Sequence, residues 1–297
     1  MNKYLEGTSE TIRENLKNFN SFYDFNKFSF WLVGFFEADG CFSINNIGDI
    51  RFELYQHSLD VQLLYNLKTY LQCGSVYSRE NISTYSVQSI KHFKTILYPI
   101  FNNKILSEVK FNQFKSICDL PSVNLPAVRG EVLSTNKAWL TGFIDGDGSF
   151  LSTTKGGTQQ TSAYLSIGQK NGQKNPEVLM LINKHFFKNS LNSYVESTYS
   201  YIRFNCKSLS SIKNIITCPL LTRKSLSFTN WLKIVEIIQT PPQKMVKLIE
   251  KPQNQLKMVE RIGNKEHLTT PQKEKIKNLS KKINKFKNKI ESDPLSN

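Results

Sequence analysis

The chain has 297 residues, with 39 Lys plus Arg against 24 Asp plus Glu and a net charge of +15. That excess points to a polyanionic partner, nucleic acid before any other, and the length allows one large domain or two similar halves. Five cysteines (Cys41, Cys73, Cys118, Cys206 and Cys218) are scattered without a C-x-x-C pair, which argues against a zinc module or a disulfide framework and fits a reducing compartment.

Residues 1–28 read as a polar N-terminal extension, and Glu6, Glu10 and Glu14 argue against a transit peptide. The stretch Trp31-Leu-Val-Gly-Phe-Phe-Glu-Ala-Asp-Gly-Cys-Phe42 then suits a helix as far as Asp39, with Trp and Phe giving an apolar face. Glu37 and Asp39 interrupt a run already shorter than the ~20 residues a membrane span needs, so no membrane partner is expected. Alternation predicts strands at 42–47 and 50–56, with Asn45, Asn46 and Gly48 near the turn. Residues 58–67 read as a helix capped by Ser58, with Leu59, Leu63, Leu64 and Leu67 as its stripe. Strands at 76–78 and 83–88 and helices at 90–100 and 107–120 complete a first unit, 29–120. Its order is αββαββα with an extra terminal helix. Pro121, Pro126 and Gly130 mark 121–136 as a linker.

Directly after it comes Trp139-Leu-Thr-Gly-Phe-Ile-Asp-Gly-Asp-Gly-Ser-Phe150, which matches the first stretch at an offset of 108 residues with no gap. Such a match signals an internal duplication. The pattern repeats over 137–240: strands at 149–154 and 163–169, a helix at 176–187 with Pro176 in its first turn, strands at 194–198 and 201–206, and helices at 209–217 and 225–239. Beyond Pro241-Pro242, residues 241–297 read as a basic helical tail. There Ile276, Leu279, Ile283, Phe286 and Ile290 form one stripe, and eight lysines stand between Lys273 and Lys289. The fold class expected is therefore α+β: two pseudo-symmetric αββαββα repeats with antiparallel sheets, plus a C-terminal helical extension.

The duplicated stretch also suggests a chemistry. Gly34 and Ala38, like Gly142 and Gly146, lie four apart and so share one helix face, where two backbones can approach closely. Gly40 and Gly148 stand where a left-handed residue ends a helix. Asp39 and Asp147 would then add full negative charges to two adjoining, partially negative helix ends. A hard divalent cation held by these carboxylates, with the carbonyls of Ala38 and Gly146 completing its shell, resolves the repulsion. Metal-bound acids of this kind suit phosphodiester hydrolysis. Glu37 and Asp145 read as helix-end polar residues.

Both copies closely resemble the motif of the LAGLIDADG homing endonucleases, in the single-chain, two-repeat form. The resemblance implies a homing endonuclease-like fold with saddle-shaped sheets. It implies a monomer that uses Mg2+ (or Mn2+) to cut a long, non-palindromic double-stranded DNA target, promoting intron homing. On the family pattern, Gln56 and Gln169 end the second strand of each repeat and position the active-site water network. Lys104 and Lys224, each five residues after a proline, supply positive charge near the metal. Base contacts would come from Ser43, Asn45, Arg51 and Glu53 and from Leu151, Thr153, Tyr164 and Ser166. Ser78, Glu80, Thr84, Ser86, Glu196, Thr198 and Arg203 would extend the set. The alternative within the family is an intron maturase with host intron RNA as partner. Richness in Asn, Lys, Ile, Phe and Tyr suggests an AT-rich organelle genome, fungal or algal: the mitochondrion, with the chloroplast as the alternative.

Overall fold

The computed structural model describes residues 25–130, 136–154, 161–170, 177–191, 193–196, 199–205 and 209–239, with single positions at 274, 278 and 281. The expectations for most of the N-terminal extension and for the basic tail lie outside the described residues. The remainder divides into two compact units. The first runs to Gly148 and adds Ile167–Ile202 and Ile215–Arg223; the second comprises Ser149–Ser166, Arg203–Asn214 and the chain from Lys224 onward.

In the first unit, helix α1 (Phe25–Asp39) leads straight into strands β1 (Gly40–Ile44) and β2 (Ile50–His57). A 3-10 turn, Ser58–Asp60, precedes α2 (Val61–Leu71), followed by β3 (Ser75–Arg79) and β4 (Ile82–Val87). Ser58 does not cap α2. The His57 side chain accepts from Leu59 N at the start of the 3-10 turn, while Asp60 accepts from Arg223 N at 2.8 Å. The next helical stretch is broken by a π turn: α3 (Ile90–His92), the turn Phe93–Leu97, then α4 (Tyr98–Phe101). Helix α5 (Glu108–Cys118) starts on Ser107, whose hydroxyl accepts from Lys110 N.

The first sheet has the order β1-β2-β4-β3, antiparallel throughout. Period-two alternation sends Phe42, Phe52, Leu54 and Tyr85 to one face, all essentially buried. There they pack with Phe36, Phe93, Phe101 and Phe114 in a cluster of stacked, tilted and edge-on rings.

The linker is pinned rather than loose where it is described. Tyr98 OH donates to Pro126 O, Val128 N donates to Asn102 Oδ1, Gly130 N donates to Ile105 O, and Arg129 bonds both Leu106 O and Glu177.

The second repeat supplies α6 (Lys137–Asp147), β5 (Gly148–Thr154), β6 (Thr161–Lys170), α7 (Glu177–Phe187), β7 (Ser193–Glu196), β8 (Tyr199–Asn205), α8 (Leu209–Lys213) and α9 (Lys224–Gln239). Its strands take the order β5-β6-β8-β7, the same pattern as the first sheet. Within the second unit, Phe150, Phe228 and Trp231 pack together, and the Trp231 indole donates to Leu151 O.

Gly40 and Gly148 do not adopt the left-handed conformation the sequence suggested. Gly148 is extended (φ −79°, ψ 149°), and among the described residues the glycines with positive φ are Gly48 and Gly74. What requires glycine at 40 and 148 is space. A Cβ at Gly40 would run into the Phe36 ring, and one at Gly148 into Ile144 O. The chain therefore passes from helix to strand without a turn residue.

Candidate active site at the paired helix ends

Helices α1 and α6 cross at glycine. A Cβ built on Gly34 would overlap the Trp139 carbonyl oxygen, and one on Gly142 would overlap the Trp31 carbonyl oxygen. The two contacts are reciprocal, the mark of a two-fold relation between the copies. Nearer the C-termini the space is shared unequally. Ala38 keeps its methyl, and Gly146 gives way to it. A Cβ on Gly146 would also lie 3.2 Å from Asp39 Oδ2, so the carboxylate of one helix rests against the end of the other.

Each carboxylate is held by its own repeat. Gln56 Nε2 donates to Asp39 Oδ2 at 2.7 Å, and Gln169 Nε2 donates to Asp147 Oδ2. Both glutamines reach inward from the end of the second strand, so strand register and helix end are locked to the same point.

The lysines behave differently from the sequence expectation. Lys104 Nζ donates to Pro99 O and lies over the Phe30 ring. Lys110, from the first turn of α5, donates instead to Gly40 O, the carbonyl next to Asp39, and its ammonium feels the charges of Glu37, Asp147 and Asp39. Burial pulls its pKa below the ordinary lysine value, while Cys41 and the three carboxylates pull it up. Lys224 is the first residue of α9 and is half-buried.

Glu37 and Asp145 are more than helix-end polar groups. Glu37, 3% exposed, accepts from Leu106 N, Ser107 N and, across the helix pair, from Trp139 Nε1 at 2.7 Å. Asp145, 1% exposed, accepts from Leu221 N, Thr222 N and the Thr222 hydroxyl. Each acid thus ties its helix to the segment before the last helix of its repeat. Leu106 corresponds to Leu221 and Ser107 to Thr222. A buried carboxylate surrounded by N–H donors signals such a tie, but the donors are backbone groups distant in sequence.

Burial pushes the Glu37 carboxyl up to about 7, against the backbone donors, Trp139 and Lys110, which all lower it. Between the ordinary glutamate value and about 7 the folded chain holds a proton that the unfolded chain has released. The resulting stability is complete below the unfolded value and is lost as pH rises through the folded one. Thermal melts from pH 4.5 to 8 should show this fall, and Glu37→Gln should flatten it while lowering stability overall.

On the outer face of the first sheet stand Ser43, Arg51, Glu53, Thr84 and Ser86, with Tyr55 and Tyr77. Thr84 and Ser86 are 5% and 2% exposed; longer neighbours on that face cover them. Ser78 faces the other way, its hydroxyl bonded to that of Ser83. Tyr77 and Arg79 take the outer positions on β3. Asn45 is spent on its own turn, accepting from Ile47 N and Asp49 N. Glu80 sits in the β3–β4 turn with φ 50°. In the second repeat the Arg203 guanidinium lies over the Tyr164 ring, Ser166 is 4% exposed and Leu151 half-buried. Thr198 lies outside the described residues, as do the side chains of Thr153 and Glu196.

The donor set expected at the helix ends is oxygen only: the carboxylates of Asp39 and Asp147 and the carbonyls of Ala38 and Gly146. It fits a hard divalent cation. Among the described residues no three of His, Cys, Asp and Glu gather as they would for a transition metal.

The LAGLIDADG endonuclease family model matches residues 32–120 and 140–235. Relatives include Probable intron-encoded endonuclease 4 of Neurospora crassa, 27% identical over 71% of this chain and 40% of that protein. Another is Probable intron-encoded endonuclease Cox1-I1b of Schizosaccharomyces pombe, 30% identical over 42% of each. The chain thus spans about two fifths of the length of these curated relatives. A solved structure of I-SmaMI bound to its uncleaved DNA target in the presence of calcium ions superposes with a TM-score of 0.59 at 20% identity, covering 86% of this chain and 98% of that one. Both halves of the chain match the family model, and the paired helices, glutamine-held aspartates and twin four-stranded sheets are those of one duplicated unit: the chain belongs to the LAGLIDADG endonuclease family.

Proposed function

We propose that the chain is a site-specific double-stranded DNA endonuclease, active as a monomer, whose two repeats, 29–120 and 137–240, each read one half of a non-palindromic target. The observation that supports this reading most is Asp39 Oδ2 lying against Gly146, the residue before Asp147, with each aspartate held by a glutamine and Lys110 bonded to Gly40 O. Unlike side chains on the two sheets support unlike half-sites. LAGLIDADG endonucleases in general depend on a divalent metal; the oxygen donor set supports Mg2+, with Mn2+ as a substitute. Asp39 and Asp147, with the carbonyls of Ala38 and Gly146, would hold it, and when bound it neutralises phosphate charge and activates water.

The chain's own residues do the rest. Gln56 and Gln169 fix the rotation of each carboxylate. Lys110 offers a partly desolvated ammonium to the scissile phosphate. Two acids give each DNA strand its own cleavage centre. The relatives' names, intron-encoded and cox1-linked, support intron homing and a mitochondrial setting, and favour DNA cleavage over the maturase alternative.

The test is cleavage of a randomised duplex library by the purified chain, with Mg2+ or with EDTA. Recovery of a defined cut site in Mg2+ alone is expected; no cutting of any duplex would overturn the reading. On the recovered site, Lys110→Met should slow cutting about a hundredfold or more, and Lys104→Met should have little effect.

A further inference from the structure

Glu53 is an unusual group for a face that meets a polyanion. It stands on the outer side of β2, opposite Cys41 on β1 and Ser86 on β4, and is 8% exposed. Tyr55 OH donates to its Oε2 at 2.7 Å and Tyr77 OH to its Oε1 at 3.0 Å. The two phenols, 41% and 42% exposed, flank it like walls. Among the described residues no lysine or arginine nitrogen is within ion-pairing distance of it. The carboxyl group is therefore fixed at both oxygens and supported by hydroxyls rather than by a cation.

A carboxylate in the groove is repelled by phosphates unless it accepts a hydrogen bond from a base. Only two exocyclic amines are presented in the major groove: cytosine N4 and adenine N6. Adenine carries the N7 acceptor beside its amine, and that lone pair would face a group that can only accept. Cytosine has no acceptor there. The clamp also removes the rotamer entropy a free glutamate would lose on binding.

Resting on the endonuclease reading above, we infer that Glu53, clamped by Tyr55 and Tyr77, is a specificity-determining residue that selects cytosine at one position of the half-site read by the first repeat. The clamp selects by presenting two oriented acceptors to a single amine, so its chemistry demands a C·G pair in one orientation.

The inference is tested on molecules cut from the randomised library, scored by base frequency at each position, a measure independent of turnover rate. The wild-type chain should enrich cytosine about tenfold at one position of one half-site. Glu53→Gln, which presents a donor beside an acceptor, should shift that position toward adenine. Tyr77→Phe, which unlocks one oxygen without removing the acid, should weaken the cytosine preference a few-fold. Circular dichroism melts establish that both variants fold. A Glu53→Gln chain that cuts with unchanged preference at every position overturns the inference and leaves the endonuclease reading standing. A wild-type chain that yields no cut molecules overturns both.

Discussion

Asp147→Asn leaves DNA binding intact and abolishes double-strand cutting. The substitution keeps the shape of the side chain and its place beside Gln169, so the fold has no reason to change. It removes one of two negative charges from adjoining helix ends, which lessens repulsion of the DNA backbone. Binding measured by gel shift in EDTA should be equal or tighter. Cutting by that centre should fall by at least about a hundredfold, the scale set by loss of one electrostatic group in an active site. Asp39→Asn should behave alike toward the other strand, so each single variant should give nicked rather than linear plasmid. Full linearisation by either variant in Mg2+ would sink the assignment of these carboxylates.

The second large effect is on folding. Gly34→Ala and Gly142→Ala should each destabilise the chain by about 3 kcal/mol or more. The added methyl would meet a carbonyl oxygen of the partner helix, which cannot rotate away as a side chain can. Relief requires the two helices to separate, and that would also part Asp39 from Gly146. Gly146→Ala is a milder case, since its methyl meets the Ala38 methyl. The double variant Ala38→Gly with Gly146→Ala transfers the methyl from one helix to the other and should recover most of the loss. Urea unfolding of the four variants measures this directly. Equal stability of Gly34→Ala and the parent chain would refute the close crossing.

Much of this was legible in one dimension because the determinants are local or duplicated. Helix and strand periods follow from alternation of apolar residues, so the order αββαββα was readable. The duplicated stretch announced two copies of one unit, and small residues four apart announced a tight crossing. The resemblance drew attention to Gln56 and Gln169 because it put a polar residue at the end of the second strand, and each bonds the aspartate of its own repeat. Lys110 was not singled out, for the opposite reason. Lys104 and Lys224 match in spacing from a proline, but spacing along a chain does not count the turn that separates two helices. Ser78 shows the same limit on a strand, where a shift of one position exchanges the faces.

The sequence by itself determined the period of each element, the duplication and the pairing of acids with small residues, because these depend on neighbours within a few positions. Tertiary structure alone decided which lysine approaches the carboxylates, why Gly40 and Gly148 must be glycine, and that Glu37 and Asp145 anchor distant backbone. Those outcomes depend on which atoms of remote segments compete for the same volume and the same hydrogen bonds, and no spacing along the chain encodes that competition.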